Sequence, residues 1–500
     1  MKTETIIGNE TNKKFSLNAK NALIFLIAVA VMMIVYWLPS PAPLHKGTEA
    51  IPLTFAGKAV LGVLFYAVIL WMTEAIPFSV TAISLLIILH MMGVSTFAKM
   101  AQTGMGSSVL FFILGALGIS AALGSSGLAK RIMYFVLSKV GTKTDRIVLA
   151  FIGIGTVLSM FVTDLAVAAM MVPLAVSILK NAGCKPLESN FGRALMIGVV
   201  YGALIGGTAT PAGCGPNILA MDFVRRLAGM NVTFGQWMAV GVPGAILMAP
   251  VGWFILMKLF PPEIKEIPLG LDEVKKDLKG LGALSRKEIN TIIVFFIAVG
   301  LWLGGPFLKA KFNLNIPEDY VAILAFFLLF LPGLRVFDSW QDVKKELDLG
   351  ALLLIGCGIA AGTLLADTGA ARYIAWGMLS GIGSMHPVLR VLAVISLVEL
   401  LKIFFSSNSV TGAVVMPLVI ALALDLKMNP WVVAGPAGIA ASMAFIMVTS
   451  SPTNVVPYSA GYFSIKDYAK AGVLMTIAAI IIVTISVAIF GRFAGMNIWM

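Results

Sequence analysis

The sequence predicts an all-α polytopic membrane protein, with about eleven transmembrane helices plus two re-entrant hairpins in two inverted repeats. Three observations predict it. Of 500 residues, 59% are hydrophobic and only 12% are charged, whereas a soluble domain is about 25% charged. Apolar runs long enough to cross a bilayer recur along the chain. Landmarks of the first half return in the second, in the same order and at nearly the same separation.

The first segment, 1–20, carries Lys13, Lys14 and Lys20 and reads as a cytoplasmic N-terminal tail. The run "NALIFLIAVAVMMIVYW" at 21–37 has no small-residue cleavage site after it, so 21–56 reads as a first transmembrane helix and its outer loop. Further spans are expected at 57–71, 78–92, 106–125, 194–219, 237–259, 290–308, 320–331, 350–370, 431–456 and 471–490. The apolar stretches 148–180 and 388–425 each have to enter and leave on one side, as hairpins. This threading divides the chain into a first repeat at 57–259, a cytoplasmic linker at 260–289, a second repeat at 290–490 and an extracytoplasmic tail at 491–500. Lysine and arginine then concentrate in the inner segments, and the positive-inside rule accounts for a net charge of +12 without a nucleic-acid partner.

The linker, "FPPEIKEIPLGLDEVKKDLKGLGALSRKEI", is the longest hydrophilic break and has room for one amphipathic helix on the membrane surface. Neither a soluble ATPase domain nor a P-loop is present in the sequence. Cys184, Cys214 and Cys357 have no paired spacing, and His45, His90 and His386 are scattered, so disulfide, zinc and catalytic-histidine readings fail. An intramembrane enzyme would need a nucleophile and base that the sequence does not provide.

The repeats carry the functional reading. Gly127 of "SSGLAKRI" matches Gly369 of "ADTGAARYI"; "TDLAVAAMMVP" at 163–173 matches "SNSVTGAVVMP" at 407–417; "TATPAGCGPN" and "VTSSPTN" end at Asn217 and Asn454. Five crossings and one hairpin per half would turn the copies upside down, the arrangement that exposes one central site alternately to each side. The second hairpin opens with Ser406, Ser407, Asn408 and Ser409, four hydrogen-bonding side chains amid apolar sequence. Non-helical backbone at membrane depth is tolerated only where it is packed in protein or lines a wet cavity. Helix N-termini there suit an anion, and carbonyls suit sodium. The pattern therefore points to a secondary active carrier; a channel would show a continuous filter rather than paired helix breaks.

"WMTEAIP" at 71–77, the duplicated hairpin motif, "TFGQWM" at 233–238 and "PTN" at 452–454 resemble the divalent-anion:sodium symporter family, carriers of di- and tricarboxylates and sulfate. That resemblance implies an elevator-type transporter and a homodimer, with a scaffold domain and a mobile transport domain. It implies substrate contacts from Thr163, Asp164, Cys214, Ser407, Asn408, Ser409, Ser451 and Pro452. It implies sodium, as coupling ion, near Ser159, Thr163, Asp164, Thr210, Gly213, Asn217, Asn408, Thr449 and Asn454. The family's Ser-Asn-Thr is replaced in the first half by Thr163, Asp164 and Leu165, and Cys214 stands where a threonine is usual.

The expected cargo is a small organic dianion, most simply a C4-dicarboxylate such as succinate or malate, in the plasma membrane. Sodium-independent anion exchange, and proton- or sodium-coupled carriage of sulfate, citrate or a zwitterionic amino or sulfonic acid, stay open. Asp164 would repel a dianion unless it pairs with a cation, titrates, or meets a cationic group on the substrate; it could instead cap a helix. Lys402 reads as a countercharge, a packed hairpin arm or a snorkelling side chain. Glu74 reads as a packing or capping residue.

Overall fold

The computed structural model describes residues 19–46, 48–267, 272–344, 347–379, 381 and 385–497. Most of the expected N-terminal tail, part of the linker and the end of the C-terminal tail lie outside these residues. The helices are α1 (Ala19–Trp37), α2 (Phe55–Thr73), α3 (Phe78–Met91), α4 (Phe97–Met105), α5 (Ser108–Ser125), α6 (Leu128–Val140), α7 (Thr144–Ser159), α8 (Asp164–Asn181), α9 (Asn190–Ala209), α10 (Gly215–Ala228) and α11 (Phe234–Leu259). They continue with α12 (Asp272–Gly280), α13 (Arg286–Phe312), α14 (Glu318–Leu328), α15 (Trp340–Lys344), α16 (Leu349–Asp367), α17 (Ala370–Leu379), α18 (Pro387–Lys402), α19 (Asn408–Asp425), α20 (Pro430–Ser442), α21 (Pro452–Ser459) and α22 (Ile465–Phe490). A short antiparallel pair, β1 (Leu44–Lys46) and β2 (Glu49–Ile51), follows α1. Among the described residues, ten helices are long and apolar enough to cross a membrane.

The same run of elements occurs twice. Helices α8 and α19 each have 18 residues and carry Pro173 and Pro417 at matching places. Helices α11 and α22 each have 26 residues, and both start with a capping box, Thr233 with Gln236 and Ser464 with Asp467. These reciprocal bonds satisfy first-turn N–H groups that have no helical acceptor. Trp71 Nε1 donates to the Phe78 carbonyl at 3.3 Å, and Trp302 Nε1 to the Glu318 carbonyl at 3.0 Å. Each acceptor is the first residue of the next helix, so an indole ties matching corners in both halves. Gly127 and Gly369, which open the corners before α6 and α17, have φ of 88° and 76°, a region that favours glycine.

The structure departs from the sequence reading in specific places. The expected spans 194–219 and 431–456 are interrupted, giving α9–α10 and α20–α21. The expected span 106–125 is α5, preceded by the separate helix α4. Helices α6 and α17 were not anticipated: polar residues such as Lys130, Arg131, Ser138 and Lys139 keep α6 from reading as a span. The linker does contain a helix, α12, which packs on α6. Glu74 takes the capping role, closing α2 in a left-handed conformation with φ of 50°.

Helix α1 stands outside the repeats and packs on α2, where a Cβ on Gly62 would come within 2.9 Å of the Met32 carbonyl oxygen. Helix α9 is nearly all buried and forms the centre of the larger core with α7, α8 and α11. Large apolar side chains are exposed on α1, α13 and α22, including Leu26, Phe296, Phe307 and Ile489. In a membrane protein these faces meet lipid, so they need no soluble partner.

Candidate functional site

Four interruptions meet in the interior. Helix α7 ends at Ser159, the chain turns through 160–163, and α8 starts at Asp164 with Thr163 as its N-cap. Helix α18 ends at Lys402, the chain turns through 403–407, and α19 starts at Asn408 with Ser407 as its N-cap. Each hairpin tip therefore presents the first turn of a helix. Neither Thr163 nor Ser407 bonds its own helix through its side chain, and Cys214, the N-cap of α10, does not either. The N-termini of α10 and α19 are thus left without the side-chain cap that usually satisfies them, while at α8 the first-turn Asp164 takes that part.

The two tips touch. Asn408 Nδ2 lies 3.4 Å from Asp164 Oδ2 and 3.5 Å from Cys214 Sγ, while Cys214 Sγ lies 4.0 Å from the same carboxylate oxygen. Asp164 Oδ1 accepts from the Leu165 backbone N–H at 2.9 Å. The carboxylate therefore both caps α8 and faces the central group, so the two readings of Asp164 are not exclusive. Asn408 is 6% exposed, and its Oδ1 has no hydrogen-bond partner among the described residues. Ser409 closes the gap to α10: a Cβ on Gly215 would sit 2.3 Å from Ser409 Oγ.

The helix breaks are held by matching asparagines. Asn217 Nδ2 donates to the carbonyls of Gly207 and Thr210 at 2.7 and 2.8 Å. Asn454 Nδ2 donates to those of Ala444 and Met447 at 2.8 and 3.0 Å. In each half one amide spans the break and pairs two carbonyls near the C-terminal end of the preceding helix, so the broken backbone has a defined shape. Asn217 Oδ1 in turn accepts from Ser442 Oγ of α20 at 2.9 Å, which joins the halves. Asn217 is therefore committed at both ends of its amide and acts as a brace. Thr210 Oγ1 donates to the Met160 carbonyl, which fastens the first break to the first hairpin tip.

Beside that tip, Ser159 is 0% exposed and its Oγ has no hydrogen-bond partner among the described residues. A Cβ on Gly213 would lie 2.8 Å from the Ser159 carbonyl oxygen and 2.6 Å from that of Gly207, so only glycine lets the strands of backbone close here. An orphan hydroxyl, clustered carbonyls and the nearby Asp164 form a hard oxygen donor set. Among the described residues no three His, Cys, Asp or Glu side chains are grouped for a metal. A sodium ion is suited to such hard oxygens, whereas a transition metal prefers imidazole or thiolate.

The structure thus gathers Ser159, Thr163, Asp164, Thr210, Gly213, Cys214, Asn217, Ser407, Asn408 and Ser409. Ser451 is buried as the N-cap of α21, where it accepts from Thr453 N, and Asn454 braces the break behind it. Thr449 and Pro452 are exposed on either side of that buried turn. Sequence reasoning missed Ser450, whose carbonyl accepts from Lys402 Nζ at 2.8 Å, and Glu399, 4% exposed one turn before it. The signal was there: Glu399 is the one acidic residue of this hairpin arm, three positions before Lys402.

The family profile described as "Sodium:sulfate symporter transmembrane region" matches residues 19–497. The chain belongs to that family. It is a transporter, not an enzyme. A protein of Staphylococcus saprophyticus named sodium-dependent dicarboxylate transporter SdcS is 29% identical over 448 residues, covering 86% of this chain and 85% of its own. Its namesake in Staphylococcus aureus strain USA300 is 26% identical over 464 residues, covering 89% of this chain and 88% of its own. The fold is also similar to the Alcanivorax borkumensis YdaH transporter, with a TM-score of 0.57 at 13% identity over 96% of this chain and 98% of that one. Neisseria gonorrhoeae MtrF gives 0.56 at 14% identity over 95% of each chain. At such low identity these two structures speak to the fold alone.

Proposed function

We propose that the protein is a sodium-coupled carrier of a small dicarboxylate, with succinate and malate the simplest candidates, in the cell membrane. The observation that carries this reading is the contact of the two hairpin tips, Asp164 and Asn408, beside the N-termini of α10 and α19, which have no side-chain cap. An anion held there replaces the missing caps, with its carboxylates facing the N-terminal turns of α10 and α19 and the hydroxyls of Ser407, Ser409 and Ser451. The names of the staphylococcal relatives favour a dicarboxylate and sodium.

Asp164 is compatible with a dianion when a cation lies between it and the substrate. The donor set around Ser159, Thr210 and Gly213 supports sodium in that position, with Asp164 contributing the charge. Two repeats, at 57–259 and 290–490, run in opposite senses through the bilayer, the N-terminus cytoplasmic and the C-terminus extracytoplasmic. The hairpins and broken helices move together as a transport domain against a scaffold that carries the contact between two subunits.

Uptake by purified protein in liposomes tests the reading, with sodium, proton and counter-substrate gradients imposed separately. Saturable accumulation of succinate or malate driven by inward sodium is expected. Uptake that ignores the sodium gradient would overturn sodium coupling. For Asp164→Asn, a lower apparent sodium affinity is expected at unchanged expression; unaltered sodium dependence would remove this carboxylate from the ion site.

A further inference from the structure

The two hairpins end differently at equivalent places. The last residue of α7 is Ser159 and the last residue of α18 is Lys402. Each meets the helix break of its own half at a matching residue: Ser159 lies against Gly213, and Lys402 lies against Ser450. Counting back from the bracing asparagines confirms the match, since Gly213 precedes Asn217 by the interval that separates Ser450 from Asn454. In the first half the junction holds the carbonyl oxygens of Ser159 and Gly207 and a buried Ser159 hydroxyl with no hydrogen-bond partner among the described residues. In the second half an ammonium fills it.

Lys402 is 2% exposed, and its Nζ donates to the Ser450 carbonyl at 2.8 Å while Ser450 Oγ lies 3.5 Å from the Lys402 carbonyl oxygen. Glu399 and Lys402 line one small pocket with Met443, Ala444, Phe445 and Ser450, the backbone of the second break. A buried charge of this kind is costly unless it is balanced; Glu399 places the opposite sign one turn away on the same helix without a direct ion pair, its Oε1 having no hydrogen-bond partner among the described residues. A lysine ammonium is a compact point charge with three donors, so it can satisfy carbonyl oxygens much as a bound monovalent cation does.

We propose that Lys402 is a tethered cation occupying, in the second half, the place that a free sodium ion takes in the first. This rests on the sodium-coupled reading above and adds a count to it. The first-half junction accepts sodium, the second-half junction cannot, and each transport cycle carries one sodium ion fewer than two open junctions would allow.

The test counts sodium directly. Full-length protein in detergent is saturated with radioactive sodium in the presence of succinate, for the native chain, Lys402→Ser and Lys402→Arg. One ion bound per native chain is expected, with a further ion in Lys402→Ser and none gained in Lys402→Arg. In liposomes the sodium Hill coefficient of Lys402→Ser uptake is expected to rise by about 1. Because Lys402→Ser leaves Glu399 alone in the interior, Glu399→Gln/Lys402→Ser serves as the charge-balanced form, and a second ion is expected there too. More than one ion bound to the native chain would overturn the tethered cation while leaving sodium coupling intact. An equal count in native protein and both serine variants would do the same. No sodium bound by any form would instead overturn the sodium-coupled reading itself.

Discussion

Asn217 and Asn454 each tie together two carbonyls at a helix break. Removing the Asn217 amide takes the donor from the Gly207 carbonyl, whose i+4 residue is Pro211 and has no N–H, at about 1–3 kcal/mol for an unsatisfied group; the Thr210 carbonyl keeps the Gly213 N–H, and the two acceptors of Asn454 keep the Tyr468 hydroxyl and the Ser450 N–H. Asn217→Ala should therefore lower the thermal unfolding midpoint in detergent. Asn217→Asp should be about as damaging, because the replacement keeps the shape and loses the donor; an aspartate variant as stable as the native chain would show that the donated bonds contribute little. Asn408 is different in kind, since its Oδ1 is unpartnered among the described residues and its Nδ2 faces only Asp164 and Cys214 at long range. Asn408→Ala should weaken succinate affinity, read by ligand-induced thermal shift, with little change in unliganded stability. Equal affinity would take Asn408 out of the site. At this scale much of the site was legible, because Ser407, Asn408 and Asp164 are polar residues where lipid-grade sequence has no use for them. Lys402 was visible as an anomaly, but its role was not, since the orientation of one amine depends on a carbonyl 48 positions away in sequence.

Among the elements, α5 offers a paired comparison of glycines. A Cβ on Gly115 would fall 2.3 Å from the Ala322 carbonyl oxygen and 2.4 Å from its carbon, both backbone atoms of α14, which cannot give way without moving the helix. A Cβ on Gly124 meets nothing within 4 Å. Gly115→Ala should cost about 1–3 kcal/mol through overpacking, while Gly124→Ala should be neutral or gain up to about 1 kcal/mol in helix propensity. Unfolding midpoints of the two variants, side by side, check it; similar values would mean α5 and α14 separate freely. The elements were legible where periodicity and length agree, as in α11, α13 and α22. They were illegible where a helix is too short or polar to span yet too apolar to read as a loop, as in α6 and α17. The hairpins announced themselves through the crossing count and the polar residues at 163–164 and 406–409. Their unequal turns, 160–163 against 403–407, did not, because turn length is set by packing at the tip rather than by any local motif.

Over the whole molecule, distant parts of the chain are pinned by charges at one end. Arg372 of α17 pairs with Glu49 of β2 at 2.9 Å and with Asp425 at the end of α19 at 2.7 Å, and Lys46 of β1 reaches Asp425 at 3.1 Å. The hydrogen bond from Arg372 holds the Glu49 carboxyl below its usual value. A depressed carboxyl stabilises the structure above its unfolded value and loses that contribution as pH falls through the folded one. The strand pair should therefore loosen from α17 as the medium becomes more acidic than about pH 4, seen as faster proteolysis between α1 and α2. Glu49→Gln should show a smaller rise in cleavage on acidification than the native chain, since only the Asp425 pairs remain to be lost. A native chain whose cleavage is indifferent to pH would show that other contacts hold the strands. The asparagine braces have a consequence at this scale as well. Breaks in a helix are often pictured as hinges, yet here each is cross-tied by its own amide, so the backbone around Thr210 and Met447 has little freedom to swing. If substrate crosses because the broken helices travel as a block, amide protons in those segments should exchange with deuterium at the same slow rate whichever side the pocket faces, and the changing signal should come from residues along the seam between block and surround.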